Sequence, residues 1–122
     1  AARATAHDPL ARLAIVPMVF EARGLDVTPA TVDRFRSQGD EASARIVERI
    51  YHDEIRPVAV GTRWFEFGCE QLGVESTQHW KMLVNNGFRR AVQPPFNDSA
   101  RRRAGLTQDY YSAVAQLTSV AH

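Results

Sequence analysis

Residues 40–72 read DEASARIVERIYHDEIRPVAVGTRWFEFGCEQL and carry the longest helical pattern in the chain. Apolar residues recur there at the spacing of one helix face. The predicted inward positions are Ile46, Val47, Ile50, Glu54, Pro57, Val58, Gly61, Trp64 and Phe65. Glu54 is the acidic residue among them. A carboxylate on such a face must be paired, protonated or bound to a metal, because an unpaired buried charge is very costly.

Helix start and stop signals divide the rest of the chain. Asp8 and Pro9 predict an N-cap and first turn, and Gly24 predicts the end of that helix. Pro17 should kink it or free a carbonyl group, and Pro57 should kink the long helix. The predicted helices are 9–23, 29–37, 40–72, 77–86, a short helix from 97 or 99 to 104, and 107–120, with residues 92–97 extended.

No segment alternates apolar and polar residues over the length of a strand, so the predicted fold class is all-α. The length of 122 residues predicts one domain over 1–122, with residues 1–7 frayed. A net charge of +1 gives no global field that would favour nucleic acid or anionic lipid.

The single cysteine, Cys69, excludes an intramolecular disulfide and a multi-cysteine zinc site. It is expected to be a small core residue in a reducing cytoplasm. No run approaches 18 apolar residues, which predicts that no segment spans a membrane. Motifs of P-loop, dinucleotide-binding and serine-hydrolase sites are absent from the sequence.

Glu21 and Glu54 are the candidate site residues. Each lies on the predicted inner face of its own helix, so antiparallel packing could bring the two carboxylates together. Two inward carboxylates on facing helices are typical ligands of a di-metal bundle site, and their oxygen atoms suit iron or manganese. The alternative is a buried ion pair with a nearby arginine. The arginines considered as partners are Arg23, Arg49, Arg56 and Arg63.

Residues around Glu54 complete the site poorly. A metal-binding helix would place a histidine at position 57, where this chain has Pro57. His52 is expected to be solvated, because it points to another side of the helix. Asp53 could reach the site only through a helix distortion near Pro57. His7, His79 and His122 have no acidic partner at ligand spacing.

Arginine is concentrated in 89–90 and 101–103. Such a cluster can hold phosphates, and the neighbouring aromatic residues could stack on bases, so RNA binding is one possible function. The other interpretation is a solvated basic face over a core of aromatic residues. The last predicted helix has Tyr110, Tyr111, Val114 and Leu117 on its apolar side.

Several segments resemble the ferritin-like proteins grouped as domain of unknown function 455. The segments are 13–29 (LAIVPMVFEARGLDVTP), 50–55 (IYHDEI), 58–65 (VAVGTRWF), 93–97 (QPPFN), 100–101 (AR), 104–106 (AGL) and 110–111 (YY). They occur in order and cover nearly all of the chain from Asp8 onward, which makes the resemblance specific.

The resemblance implies a ferritin-like four-helix bundle with a carboxylate-bridged di-iron or related site. Glu21 would be the ligand of the third bundle helix, and Glu54 the glutamate of the E-x-x-H motif of the fourth. The chain would then hold the second half of the bundle plus a C-terminal extension, 92–122. The first two helices would lie upstream of Ala1.

Half a bundle leaves an apolar face uncovered, which predicts either a homo-oligomer or pairing with a separate N-terminal half. The first predicted function is a ferritin-like protein with an incomplete metal site, related to di-iron oxidases and hydroxylases. If it is an enzyme, it is a metal-dependent oxidoreductase. The alternatives are a non-catalytic helical interaction domain and an RNA-associated protein.

Overall fold

The described part of the chain is built from helices alone. The computed structural model describes residues 8–120, with side chains described for 8–115. The elements are α1 (Pro9–Ile15), a π-helical segment (Val16–Glu21), α2 (Ala22–Ser37), α3 (Glu41–Leu72), α4 (Ser76–Asn85), a 3-10 turn (Arg89–Ala91), α5 (Asp98–Arg103) and α6 (Gln108–Val120). No strand occurs within residues 8–120, and the all-α prediction is confirmed.

The first helical region runs without a break from Pro9 to Ser37. Its start is as predicted, since Oδ1 of Asp8 accepts hydrogen bonds from the backbone N–H groups of Leu10 and Ala11 at 3.0 and 3.1 Å. The predicted end at Gly24 and new start at Pro29 are wrong, because α2 continues through both residues. A glycine inside a helix costs only about 1 kcal/mol.

Packing explains why α2 continues through these residues. Leu25 and Val32 are buried on the face of α2 that packs against α3. Fully burying a side chain of this kind contributes about 1.5–3 kcal/mol. The burial of the two therefore outweighs the weak helix propensity of Gly24.

Both ends of α3 match the prediction. Oδ1 of Asp40 accepts a hydrogen bond from the Ser43 N–H at 3.0 Å, and Gly73 ends the helix in the left-handed conformation with φ 71°. Pro57 lies inside this helix of 32 residues. A turn of three residues, 38–40, connects α2 to α3, so the two helices form an antiparallel hairpin.

The predicted inward face of α3 is only partly correct. Val58, Gly61 and Phe65 are buried, but Ile46, Ile50 and Trp64 are 63%, 58% and 57% exposed. The nine predicted inward positions span too much of the helix circumference for one neighbouring layer to cover. The other helices pack on the side of Val58 and Phe65 and leave the opposite side open.

The C-terminal helices close the core. Trp80 of α4 is fully buried, and its indole N–H donates to the Ala14 carbonyl at 3.2 Å. Tyr110 and Tyr111 of α6 are also buried, as predicted. The predictions for 1–7, His7, His122 and the Leu117 side chain fall outside the described residues. Within the described residues, no helix combines the length and hydrophobicity that a membrane span requires.

Candidate functional site

Glu21 is the last residue of the π-helical segment. Pro17 lies inside that segment and has no N–H to donate, which opens the regular helical hydrogen bonding just before Glu21. The distortion predicted at Pro17 is therefore confirmed as a π-helix. Met18 and Val19 of the same segment are buried, whereas the Glu21 side chain is half-buried.

The structure brings Glu54 next to Glu21. The Glu54 carboxyl is half-buried on α3. Burial raises its pKa above the ordinary value, and the Glu21 charge and a hydrogen bond between the two carboxyl groups raise it further. Two carboxylates this close repel each other when both are charged, so the pair is suited to accept a positive charge.

Close packing of the two backbones holds this pair together. A Cβ atom built on Gly61 would lie 2.5 Å from Cβ of Pro17 and closer still to Cγ. No side chain fits between α3 and the π-helical segment at this position. Gly61 lies two helical turns after Glu54 in α3, and Pro17 lies about one turn before Glu21 in the π-helical segment. The contact therefore sets the spacing of the two elements near the carboxylate pair.

The arginines proposed as partners do not neutralise the pair. Arg23 lies 3.8 Å from the Asp26 carboxylate and donates to the Gln93 carbonyl at 2.6 Å. Arg49 pairs with Asp53 at 3.5 Å. Among residues 8–115, no ion pair reaches Glu21 or Glu54, so the structure does not support the Glu–Arg alternative for these residues.

The neighbours of Glu54 do not add ligands. His52 is exposed and its ring lies 5.2 Å from that of Tyr51, as expected for a solvated histidine. Asp53 is exposed, and Pro57 offers no donor atom. Within the described residues, no three histidine, cysteine or acidic side chains are grouped closely enough to hold a metal ion.

An open groove of about 660 Å³ runs beside Glu21. The groove lies between the π-helical segment and an apolar surface that we call the open face of α3, formed by Ile46, Ile50, Pro57, Val60, Trp64 and Phe67, all of which are exposed. Glu21 is thus accessible from a mainly apolar groove. Four of these residues, Ile46, Ile50, Pro57 and Trp64, were predicted to face inward, and the structure shows that they face outward.

The predicted arginine cluster is divided by the structure. Arg101 is 3% exposed and makes a bidentate ion pair with Asp26, with hydrogen bonds of 2.8 and 2.6 Å. Arg101 is therefore unable to contact RNA, whereas Arg102 and Arg103 are exposed. Cys69 is buried, and burial raises the pKa of its thiol, consistent with a core residue.

A buried polar cluster around Asp26 was not predicted from the sequence. The Asp26 side chain is fully buried and also accepts from the Asn97 N–H at 2.8 Å. The Arg101 guanidinium lies between two rings, 4.8 Å from Phe96 and 4.6 Å from Tyr111. Asp26 and Arg101 are 75 positions apart, so no local pattern indicates the pair.

Comparison with known proteins identifies the family. The family described as protein of unknown function (DUF455) matches residues 1–112. An uncharacterized protein of Haemophilus influenzae (strain ATCC 51907 / DSM 11121 / KW20 / Rd) is 36% identical over 107 residues. The aligned part covers 88% of this chain and 37% of that protein, so the chain spans little more than a third of its relative. No solved structure matches the chain.

Proposed function

We propose a function for this chain, which belongs to the DUF455 family of proteins of unknown function. Glu21 and Glu54 together bind a hard divalent cation. The observation that carries this proposal is the proximity of the two carboxyl groups, which adds to the effect of burial in raising the pKa of Glu54. A divalent cation would relieve the repulsion between the two negative charges. Oxygen ligands favour Fe²⁺ or Mn²⁺ at such a site.

The described residues fit one part of a ferritin-like di-metal centre. The resemblance implies four carboxylates and two histidines, whereas this chain brings two carboxylates together and has Pro57 at the histidine position. The remaining ligands would have to come from outside the described residues. Bound iron would supply oxidation with dioxygen, and the chain's role is to hold Glu21 and Glu54 at a fixed separation beside an apolar groove.

The open face of α3 supports a second candidate function, that of a helical interaction module. Six apolar side chains are exposed along one side of a single helix. A contiguous apolar surface of this kind usually marks an interface. An element that covers the face would also close the groove beside Glu21, so the two candidate functions are compatible.

Charge along the edge of this face favours one occupant. Arg45, Arg49, Arg56 and Arg63 follow one edge of α3 at helical spacing, and all four are exposed. Arg45 and Arg49 are paired with Glu41 and Asp53, whereas Arg56 and Arg63 form no ion pair within the described residues. A two-fold pairing of α3 with a second copy would bring these uncompensated positive charges together. We therefore propose an apolar helix edged by carboxylates, from the portion of the family's longer proteins that this chain does not span. A reducing cytoplasm is the proposed compartment, in keeping with the free buried thiol of Cys69.

Titration with Mn²⁺ under anaerobic conditions tests the metal proposal. We expect calorimetry to show saturable binding, and Glu21→Gln and Glu54→Gln each to weaken it about tenfold or more. Glu70→Gln is the matched control, because Glu70 is an exposed glutamate of the same helix. Pro57→His should tighten binding. If neither Mn²⁺ nor Fe²⁺ binds, or if Glu70→Gln weakens binding as much as the Glu21 and Glu54 variants do, the metal proposal is wrong.

Sedimentation measurements test the interaction module separately. The chain should remain monomeric at low micromolar concentration, and the rest of a longer family member, added in trans, should bind it. Trp64→Gln on the open face should weaken that complex, while Met82→Gln, at an exposed apolar residue of α4, should not. A stable homodimer lost in the Trp64 variant would instead identify a second copy as the occupant.

A further inference from the structure

A second cavity, on the side of α3 away from the open face, is lined by three arginines. Its volume is about 270 Å³, and Arg63 of α3 meets Arg102 and Arg103 of α5 around it. We call this the arginine cavity. The three side chains come from two helices that lie far apart in sequence, so only the tertiary fold brings them together.

The positive charge of the arginine cavity is poorly compensated. Within residues 8–115, no carboxylate forms an ion pair with Arg63, Arg102 or Arg103. Glu66 is the carboxylate among the lining residues, and its Oε2 accepts a hydrogen bond from the Tyr110 hydroxyl at 2.6 Å. The lining of the cavity therefore carries three positive groups and one negative group.

The backbone that presents two of these arginines is fixed. The Leu106 N–H donates to the Arg101 carbonyl at 2.8 Å, and the Gly105 N–H donates to the Arg102 carbonyl at 2.9 Å. Gly105 adopts φ +77°, the left-handed conformation that closes a helix C-terminus. The adjacent Arg101 forms an ion pair with the buried side chain of Asp26 in α2, and α5 also contacts α3. The position of α5 is therefore fixed before any ligand arrives.

We propose that the arginine cavity binds the phosphate group of a small phosphorylated molecule. Guanidinium groups bind phosphate oxygens through paired, charge-assisted hydrogen bonds, and three arginines line this cavity. The volume is below the range of about 300–1,000 Å³ typical of sites for larger ligands, which favours a compact anion or phosphate monoester. This site is separate from the Glu21–Glu54 pair and does not depend on the metal proposal.

Calorimetric titration at constant ionic strength tests this site. The probes are inorganic phosphate and adenosine 5′-monophosphate, with chloride and sulfate as reference anions. We expect saturable binding of at least one phosphate probe, with Arg63→Gln and Arg102→Gln each weakening it about tenfold, or about 1.4 kcal/mol. Arg90→Gln is the matched control, since it removes the same charge from an exposed arginine outside the cavity.

A variant that adds affinity makes the test stricter. Glu66→Gln removes the negative charge from the cavity while keeping an acceptor for Tyr110, so phosphate binding should tighten. If neither probe binds saturably, or if Arg90→Gln weakens binding as much as Arg63→Gln, the proposal is overturned. Binding of single-stranded RNA with no binding of either small phosphate would also overturn it and would assign these arginines to nucleic acid.

Discussion

Pro17 packs directly on Gly61, and this contact sets the separation between the π-helical segment and α3. A Cβ at Gly61 would overlap the Pro17 ring. A pyrrolidine ring cannot rotate away as a flexible side chain can, because its φ angle is fixed. The Glu21–Glu54 pair therefore depends on the absence of a side chain at position 61.

Gly61→Ala should destabilise the protein. Overpacking of this kind typically costs about 1–3 kcal/mol, more than the gain in helix propensity from alanine. Urea unfolding followed by circular dichroism would measure the change. Gly68→Ala is the control, because the obstacle there is the mobile Cδ2 end of Leu10, and it should cost less. An equal loss at both positions would contradict the rigid contact at Pro17.

Gly24→Ala should stabilise the protein. Gly24 lies inside α2, and a Cβ there would meet no atom within 4 Å. Alanine should therefore add about 0.5–1 kcal/mol to the free energy of unfolding. Gly39→Ala should instead destabilise the protein, since Gly39 has φ +79° and an alanine there would be strained. Destabilisation by Gly24→Ala in thermal unfolding would show that α2 does not run through this residue.

Asp26→Asn should be among the most destabilising polar substitutions. It would leave the buried Arg101 guanidinium without its charged partner, which typically costs about 3–5 kcal/mol. A double-mutant cycle with Arg101→Met would measure the coupling. The double variant should lose less free energy of unfolding than the sum of the losses in the two single variants. Arg45→Gln, in an exposed pair with Glu41, should have little effect. Additive losses at Asp26 and Arg101 would contradict the coupling.

Glu54→Gln should change how stability depends on pH. The folded-state pKa of Glu54 is raised, so the folded chain holds this proton more tightly than the unfolded chain does. The stability that comes from binding this proton is fully present below the ordinary glutamate pKa of about 4.3 and is lost as pH rises through the raised pKa of Glu54. The glutamine variant should therefore be the more stable protein at pH 7. Urea unfolding from pH 4 to 8 would test this, with Glu70→Gln as the control expected to follow the parent chain.

Much of the helical framework could be predicted because its signals are local. Asp8, Asp40 and Asn97 cap helices through hydrogen bonds to residues two or three positions later, and a sequence displays that spacing directly. Gly73 ends α3 because it adopts a conformation that other residues avoid. The pairing of Glu21 with Glu54 could also be anticipated, since each lies at an identifiable position on its helix.

The failures involve competition between local signals and packing. Gly24 and Pro29 are reliable breakers in an isolated helix, but burial of the neighbouring Leu25 and Val32 outweighs them. The two apolar sides of α3 could not be ranked by sequence, because Ile46 and Phe65 are equally apolar. Which side is covered depends on where the other helices pack.

The sequence by itself determined the all-α class, most helix starts and ends, the family, and the two carboxylates of the candidate site, because these follow from caps, spacing and residue chemistry. Only the tertiary structure decided that α3 has an open face, that Arg101 is locked to Asp26, and that Arg63 meets Arg102 and Arg103 at one cavity. These contacts join residues far apart in the chain. Their free energy comes from burial and charge pairing, which no short stretch of sequence contains.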